Sequence, residues 1–354
     1  MKTINRNSFY VIVILLFLCS ACVKTSVVQE VDRGTKSTMD ILNNNFSFSL
    51  FRNAVNMAGL TDKVNGDTLT ILVPDNTAFE RIGITTVDDL ARINKDSLRK
   101  WIGHHMAKGK IKYDDVPQTV DNEYWTIDNN ILYFSKRQVL EPWEVGNKYL
   151  HVNGDTLDYF DLEATNGVIH VLHTPLKYPA ASVKEIIDKD TTLTLYVAAL
   201  KKFRLYDQLV NEGPFTLFAP VNKAFLNLGI DEDSINRMNP ASFKNLLFGS
   251  TVLTPNRIFT TDILNAKSNQ NGPNGVGNYL FTLDGIVEFE MQSGINPVAF
   301  VYGYVYCADY PDCYDRVGGG YGNPAAVISR DHIAKNGVVH KLSNLIFYPA
   351  DMQK

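Results

Sequence analysis

The sequence predicts a mixed α+β protein built from two tandem domains. Its 354 residues exceed the size of about 250 residues at which a single hydrophobic core usually stops growing. Residues 37–56 and 182–209 carry apolar side chains at helical spacing, and each stretch precedes a short run of β-forming residues. The recurrence of this order indicates that one domain plan occurs twice.

The composition describes a folded globular chain and disfavours nucleic acid as a partner. Hydrophobic residues make up 45% of the chain and charged residues 20%. The 34 basic and 38 acidic residues give a formal net charge of −4. Because this balance provides no positive field to concentrate a polyanion, we expect no nucleic-acid binding.

The first 21 residues have the pattern of an export signal. A basic start with Lys2 and Arg6 precedes an apolar run over 9–18, which is shorter than the roughly 20 residues of a membrane-spanning helix. Small residues then precede Cys22, and the arrangement resembles a bacterial lipoprotein signal whose cysteine becomes lipid-modified. Cys19 stands where such signals usually carry leucine, so an ordinary cleaved signal peptide is the alternative.

A lipidated Cys22 would make the anchor the only membrane contact of the chain. Residues 22–36 would then form a tether, because they are mostly polar and small and lack a clear period. The resemblance implies attachment to the outer membrane of a Gram-negative bacterium. The cell surface is the favoured face, and the periplasmic face is the alternative. Of the four cysteines, Cys307 and Cys313 would remain, and an exported compartment would allow them to pair.

Two segments of the chain occur twice in the same order. Residues 68–83 match 215–229 with Pro74 and Pro220 aligned 146 positions apart, and residues 166–173 match 336–343 with an offset of 170. The difference between the offsets leaves a net 24 extra residues inside the second copy.

Each repeated segment has a structural interpretation. In the first, Pro74 ends a short β run, and Asp75 or Asn76 can then cap a helix that buries Ala78 and Phe79. Asn222 begins the same arrangement in the second copy. In the other segment, an Asn-Gly pair precedes a Val-rich run, which predicts a tight hairpin turn followed by a strand.

These segments resemble the two signatures of the fasciclin domain family, Thr-x-x-x-Pro-x-Asn-x-Ala-Phe and Asn-Gly-Val-[Ile/Val]-His. The resemblance implies an α+β fold in each copy, a wedge of strands packed against several helices, with domains at 37–179 and 180–350. It also implies a non-catalytic role in adhesion or ligand capture, with an extracellular protein or polysaccharide as partner. A glycan-binding accessory lipoprotein of a polysaccharide-uptake system is the alternative.

The family usually carries a Tyr-His pair between its signatures, and animal members use that region for adhesion. Here His104 and His105 stand at the two positions, while Gly249 and Ser250 align there in the second copy. We therefore keep His104 and His105 as ligand-binding candidates in the first copy.

No catalytic constellation or cofactor motif is present in the sequence, so we expect neither enzyme activity nor a cofactor. The chain lacks a Gly-x-Ser-x-Gly elbow, a His-Glu-x-x-His motif and a phosphate loop. Acidic runs such as Asp88-Asp89 and Asp114-Asp115 are typical of helix starts and solvated loops. His105, His170 and His340 fit hydrogen-bonding roles better than metal binding, so we expect no metal site.

The most individual feature is a Tyr- and Gly-rich region near 269–324 in the second copy. A disulfide between Cys307 and Cys313 would close a small loop and hold tyrosines that suit recognition of a sugar or a protein surface. The binding candidates in this region are Tyr310, Tyr314 and Tyr321. The alternative is that Tyr302, Tyr304 and Tyr306 form one half-buried sheet face and the loop only covers an edge.

Overall fold

Both copies of the repeat contain helices and strands. The computed structural model describes residues 35–137, 148–210, 213–243, 248, 251–253, 257–262, 279–282, 285–292, 298–306, 314–317 and 325–353. Side chains are described for most but not all of these residues.

The helices of the first copy begin at polar caps. In the described residues they are α1 (Thr38–Asn44), α2 (Ser49–Met57), α3 (Thr61–Gly66), α4 (Asn76–Glu80), α5 (Val87–Ala91) and α6 (Lys95–His104). Ser37 caps α1 through a reciprocal capping box with Asp40. The predicted helical segment 37–56 is interrupted at Asn45, whose side chain accepts the N–H of Ser47 and starts a 3-10 turn before α2.

The strands of the first copy form one seven-stranded sheet. They are β1 (Leu69–Pro74), β2 (Met106–Lys108), β3 (Asn122–Trp125), β4 (Ile131–Arg137), β5 (Tyr149–Val152), β6 (Asp155–Ala164) and β7 (Gly167–Leu172), in the order β2-β1-β7-β6-β5-β4-β3. The β1–β7 pair is parallel and the others are antiparallel. A single bridge between Ala107 and Thr126 brings the end of β3 back to β2, so the sheet curls toward closure.

The second copy repeats this order with one additional strand. Its helices are α7 (Val183–Lys189), α8 (Thr194–Lys202), α9 (Asn222–Leu226) and α10 (Glu232–Arg237). Its strands are β8 (Phe215–Pro220), β9 (Val252–Leu253), β10 (Tyr279–Thr282), β11 (Gly285–Gln292), β12 (Val298–Tyr306), β13 (Tyr314–Val317), β14 (Ala325–Ala334) and β15 (Gly337–Leu342), in the order β10-β11-β12-β14-β15-β8-β9. Strand β13 pairs with β12 outside this order, so the extra residues of the second copy include an added strand.

The strand of the first signature is covered on both faces in each sheet. All six residues of β1 are buried, and so are all six of β8. In the first copy, Ile71 and Val73 pack against the helices, whereas Leu72 packs into the opposite cluster inside the curled sheet. This double burial explains why β1 is continuously apolar apart from Thr70, as parallel strands usually are.

The two copies contact each other through a small, mixed cluster. Tyr133 of the first copy packs with Phe259, Ile333 and Val338 of the second. The Arg257 guanidinium lies 3.7 Å from the centre of the Tyr133 ring and 3.5 Å from Asp121 Oδ1. The domain boundary predicted at 179 and 180 falls between β7 and α7 and remains a prediction.

Asp262 is a buried acid at this contact. Its Oδ2 accepts the N–H of Phe259 at 2.8 Å, whereas its Oδ1 has no hydrogen-bond partner in the described part of the chain. Burial raises the pKa of Asp262 to about 7 against the opposing influence of Ser135 and the Phe259 N–H, and the nearby carboxylates of Asp121 and Asp331 raise it further. An acid with a raised pKa holds its proton in the folded state after the unfolded state has released it.

This proton makes the stability of the folded state depend on pH. Between about pH 4 and pH 7 the folded state binds more protons at Asp262, so the contribution of this group to stability falls as pH rises. The total loss is up to about 4 kcal/mol. We predict that Asp262→Asn removes this loss, so the variant gains stability relative to the wild type as pH rises through this window.

The measurement is the free energy of unfolding in urea for both proteins at several pH values. The difference between them isolates Asp262, because buried histidines such as His105 contribute to both proteins alike with the opposite slope. A difference that stays constant from pH 4 to pH 8 would contradict the prediction.

Candidate functional site

The threonine of the first signature holds a neighbouring loop in both copies. Thr70 Oγ1 accepts the N–H of Ile111 at 2.8 Å, and Thr216 Oγ1 accepts the N–H of Ile258 at 2.9 Å. Both threonine side chains are buried, so they serve the fold rather than the surface.

The asparagine of this signature connects two helices rather than capping one. Asp75 is the residue that caps α4, since its carboxylate accepts the N–H of Ala78 at 2.7 Å. Asn76 instead accepts the N–H of Leu50 and donates to the Phe46 carbonyl oxygen, both at 3.1 Å. The sequence predicted either Asp75 or Asn76 as the cap of α4. The prediction of Asn76 is wrong, because its side chain binds the start of α2 instead.

Asn222 repeats these bonds in the second copy. It accepts the N–H of Leu195 and donates to the Thr191 carbonyl oxygen, both at 3.0 Å. Val221 occupies the cap position of α9 and offers no side-chain hydrogen bond. The expectation that Asn222 caps α9 is thus also wrong, and the role that both copies share is the link to the preceding helix.

The Asn-Gly pair of the second signature joins a hairpin to a helix. Asn166 accepts the N–H of Thr38 at 2.9 Å and donates to the Val64 carbonyl oxygen at 2.8 Å. The next residue, Gly167, approaches β1 so closely that a Cβ there would overlap the Leu69 carbonyl oxygen. Glycine is required by this contact between neighbouring parallel strands.

The second copy builds the same joint. Asn336 accepts the N–H of Val183 at 2.9 Å and donates to the Leu209 carbonyl oxygen at 3.3 Å. A Cβ at Gly337 would overlap the Phe215 carbonyl oxygen. The tight turn predicted at both Asn-Gly pairs is present, since Ala164 pairs with Gly167 and Ala334 with Gly337.

The signature histidines are locked in one neutral tautomer. His170 Nδ1 accepts the N–H of Asp161 at 3.0 Å, so the proton is on Nε2, which donates to the Ile111 carbonyl oxygen at 2.8 Å. His340 makes the matching bonds to Asp331 at 3.3 Å and to Ile258 at 2.8 Å. Burial lowers the pKa of both rings.

These bonds bind both ring nitrogens of each histidine to the protein. Neither ring has a free lone pair to coordinate a metal ion or to remove a proton from a substrate. The interpretation of His170 and His340 as structural residues is therefore the one that the contacts support.

His105 is also held inside the first copy. Its Nδ1 donates to the Trp101 carbonyl oxygen at 2.8 Å, and its Nε2 accepts the N–H of Leu176 at 3.0 Å. Burial lowers its pKa to about 3. His105 therefore ties α6 to the segment after β7 and presents no nitrogen to solvent.

His104 differs because its Nδ1 has no hydrogen-bond partner among the described residues. The ring is fully buried, and Nδ1 lies 3.8 Å from Asp128 Oδ1, which is too long for a hydrogen bond. Burial raises the pKa of Asp128, but nearby His104 and hydrogen bonds from Thr126 and Asn130 lower it to about 2. Asp128 is thus ionised. It lies next to His104 and also lines a pocket at the protein surface beside α6.

The strand register shows which residue of the second copy corresponds to His105, and it differs from the sequence alignment. The carbonyl of His105 accepts the N–H of Leu72, and the carbonyl of Thr251 accepts the N–H of Phe218 in the same way. Thr251 therefore stands at the His105 position, where the sequence alignment put Ser250. Sequence alone missed this shift because no repeated residue marks the register of β9.

Several predicted residues lie outside the described part of the chain. They are Cys22, Cys307, Cys313, Tyr310 and Tyr321. Tyr314 begins β13, and Tyr302, Tyr304 and Tyr306 lie in β12, but their side chains are not described. The roles assigned to these residues remain predictions.

The acidic runs act mainly at helix and turn starts. Asp89 forms the capping box of α5 with Thr86, and Asp231 caps α10. Asp114 and Asp115 lie in a 3-10 turn. These roles agree with the structural interpretation of the runs.

A pocket of about 940 Å³ opens beside α6 in the first copy, and we call it the α6 pocket. One wall is the exposed face of the helix, where Asp96, Arg99, Lys100 and Gly103 follow helical spacing. The remaining lining residues come from α3, β1, β2 and the turn after β3: Leu60, Lys63, Gly66, Asp67, Thr68, Leu69, Lys108, Ile127 and Asp128.

This pocket was not predicted from the sequence. The charged spacing on α6 was a usable signal, but only the fold brings Lys108 and Asp128 to the same place. Within the described ranges, no group of three or more His, Cys, Asp or Glu residues could hold a metal ion. None of the helices in those ranges combines the length and apolar character needed to cross a bilayer.

Comparison with protein families agrees with the repeated signatures. The family model described as Fasciclin domain matches residues 46–179 and 191–275, which together are more than half of the chain. The chain belongs to the fasciclin domain family. The predicted resemblance and the α+β tandem fold are confirmed.

Relatives of this fasciclin protein occur in animals and bacteria. Transforming growth factor-beta-induced protein ig-h3 of Sus scrofa is 25% identical over 180 residues, which are 50% of this chain and 25% of the relative. Fasciclin-1 of Drosophila melanogaster is 26% identical over 192 residues, 51% of this chain and 28% of the relative. Protein sll1483 of Synechocystis sp. is 29% identical over 152 residues, 42% of this chain and 78% of the relative.

The chain therefore spans about a quarter of the length of these animal relatives. A solved FAS1 domain pair from the insect cell adhesion molecule Fasciclin I aligns over 86% of this chain and 98% of its own. The TM-score of that alignment is 0.40 at 17% sequence identity.

We call the contacts of Asn166 and Asn336 the asparagine joints. We expect the loss of either joint to destabilise the protein by a similar amount. Asn166→Ala and Asn336→Ala each remove an acceptor from a helix N–H and a donor from a partly buried carbonyl oxygen. We expect each variant to lose about 1–3 kcal/mol in free energy of unfolding.

Urea unfolding at neutral pH measures this loss. Asn44→Ala is the control, since Asn44 is exposed at the end of α1. Losses no larger than that of the control would show that the asparagine joints do not support the fold.

Proposed function

We propose that this fasciclin-family chain is a non-catalytic cell-envelope lipoprotein that captures a ligand for adhesion. The observation that supports this proposal is the use of the signature side chains. In both copies the Thr, Asn and His residues of the signatures are hydrogen-bonded inside the domain. They form a scaffold, and function then depends on the surfaces that this scaffold displays.

Family membership supports the coarse assignment. Fasciclin domains occur in cell-adhesion proteins, and the matched family is not a catalytic one. The ligand that we propose is an extracellular protein or a polysaccharide. A glycan-binding accessory role in polysaccharide uptake is the second candidate, and the chemistry of the α6 pocket favours it.

The proposed location is the outer face of the outer membrane, with lipid on Cys22 as the anchor. The pattern of an apolar run and small residues ahead of this cysteine supports the proposal. We predict that Cys22→Ala releases the chain from the membrane fraction or stalls its processing.

Detergent extraction and membrane fractionation of expressing cells measure this partition. Cys19→Ala serves as the matched control, because that residue lies inside the proposed signal. Unchanged partition of the Cys22→Ala protein into the membrane fraction would contradict the proposed lipid anchor.

The proposed capture surface in the second copy consists of Tyr310, Tyr314 and Tyr321. Inserted segments on a retained scaffold are common sites of binding. Replacing the three tyrosines by alanine is expected to weaken retention of a captured ligand by about 1 kcal/mol for each true hot spot, with little change in thermal unfolding.

A glycan array and a panel of matrix proteins identify the ligand, and protease shaving of intact cells tests exposure of the chain. A large loss of stability in the triple variant would show that the tyrosines are core residues. Normal binding by a stable triple variant would move the site elsewhere, and absence of binding to every probe would contradict the proposed function.

A further inference from the structure

The α6 pocket has unpaired charges at its surface. In the described part of the chain, neither the Lys100 ammonium nor the Asp96 carboxylate has an ion-pair or hydrogen-bond partner. Lys108 makes only a 3.5 Å contact, to Asn129 Oδ1. Two lysines and one carboxylate are therefore available to a ligand.

The other charges of the pocket are already occupied. Lys63 pairs with Asp67 at 3.2 Å, and Arg99 donates to the carbonyl oxygens of Ala58 and Gly59 at 2.8 and 2.9 Å. Asp128 is bound by Thr126 and Asn130. The available charge is thus positive on balance, which favours an anionic ligand that also carries a hydrogen-bond donor for Asp96.

An exposed tryptophan neighbours one lysine of this pocket. The antiparallel bridge between Ala107 and Thr126 puts Trp125 next across from Lys108 in the strand register, on the opposite face from the bridged pair. Met106 and Ile127 share that face and pack against the helix-side core. The Trp125 side chain is 54% exposed.

A tryptophan exposed to this extent provides a large, rigid apolar face with a donor at its edge. One face of a pyranose ring consists of polarised C–H groups, which stack on the negative face of an aromatic ring. The hydroxyl groups around the ring can donate to Asp96, and a carboxylate on the ring can bind Lys100 and Lys108.

These charges are not a requirement of the fold. At an offset of either 145 or 146 residues, the second copy carries uncharged residues at the positions of Asp96 and Lys100. The second copy keeps the strand order of the scaffold without these two charges, so the fold does not require Asp96 and Lys100 to be charged.

We propose that the α6 pocket binds an anionic pyranose glycan, with a sugar ring stacked on Trp125 and a uronate carboxylate held by Lys100 and Lys108. This inference rests on the proposed ligand-capture function and names the ligand class and the residues that bind it. It adds a site in the first copy to the tyrosine surface proposed in the second, next to the predicted His104 region but on different side chains.

The test measures binding of a defined oligogalacturonate to the full chain by isothermal titration calorimetry. The same oligosaccharide with its carboxylates methyl-esterified keeps the rings and removes the charge. We expect the Trp125→Ala variant and the Lys100→Gln, Lys108→Gln double variant each to bind the acidic oligosaccharide at least about tenfold more weakly. Raising the salt concentration is expected to weaken binding by the wild-type protein.

Two control variants match these changes. Tyr159→Ala removes an aromatic side chain of similar exposure on β6, and Lys95→Gln removes a cation from α6 outside the pocket lining. Both are expected to bind like the wild-type protein. Circular dichroism melting of each variant separates loss of binding from loss of folding.

Each remaining outcome has a defined meaning. Equal affinity for the acidic and the esterified oligosaccharide would overturn the assignment of an anionic ligand. If the wild-type chain retains other glycans or matrix proteins while the Trp125 and lysine variants bind normally, the α6 pocket is wrong and the capture function stands. If the chain binds no probe at all, the capture function itself fails.

Discussion

The contact that the rest of each domain depends on is the parallel pairing between the strand after the Asn-Gly turn and the strand of the first signature. In the first copy these are β7 and β1, paired residue by residue from Gly167 opposite Leu69 to Leu172 opposite Pro74. The backbones approach so closely at the start of this pairing that no Cβ fits at Gly167. The second copy repeats the constraint at Gly337 and Phe215.

The burial of both strands of this parallel pair has consequences for polar groups. Both faces of the pair are buried, so any polar side chain there must be satisfied within the protein. Thr70 and His170 meet this condition by binding the Ile111 backbone from two sides, through its N–H and its carbonyl. The Thr and His of the two signatures, far apart in sequence, are thus parts of one hydrogen-bonded network.

The duplication separates what the fold requires from what it permits. Thr251 replaces His105 in the second copy and still bonds a preceding carbonyl, that of Phe248, at 2.6 Å. Strand β13 is added beside β12 without disturbing the order of the other strands. Asp96 and Lys100 of the α6 pocket have uncharged counterparts in the second copy, so the two copies share a scaffold and differ at their surfaces. This pattern fits ligand capture, in which surfaces vary on a constant frame.

Local sequence was enough to predict the repeat, the family, the helical segments before each first signature and the Asn-Gly hairpins. The helical segments follow from apolar periodicity and the strand ends from proline, which are short-range effects. At the hairpins the Asn side chain binds a helix and the Gly allows close approach of the neighbouring strand. Sequence also favoured structural roles for His170 and His340, although their partners could not be named. Asn76 was misassigned because its partner lies on a helix some 26 residues away, which a local capping rule does not consider.

Tertiary structure alone decided the α6 pocket and the contact between the copies. Lys100 and Lys108 are eight positions apart along the chain, yet they line one pocket because the chain turns from α6 into β2. Trp125 comes beside Lys108 only because the sheet curls until the end of β3 meets β2. The pKa of Asp262 is likewise raised by its burial at the contact between the copies, close to Ser135 and Asp121 of the first copy. Such placements follow from packing between distant segments, and no pattern within a single segment encodes them.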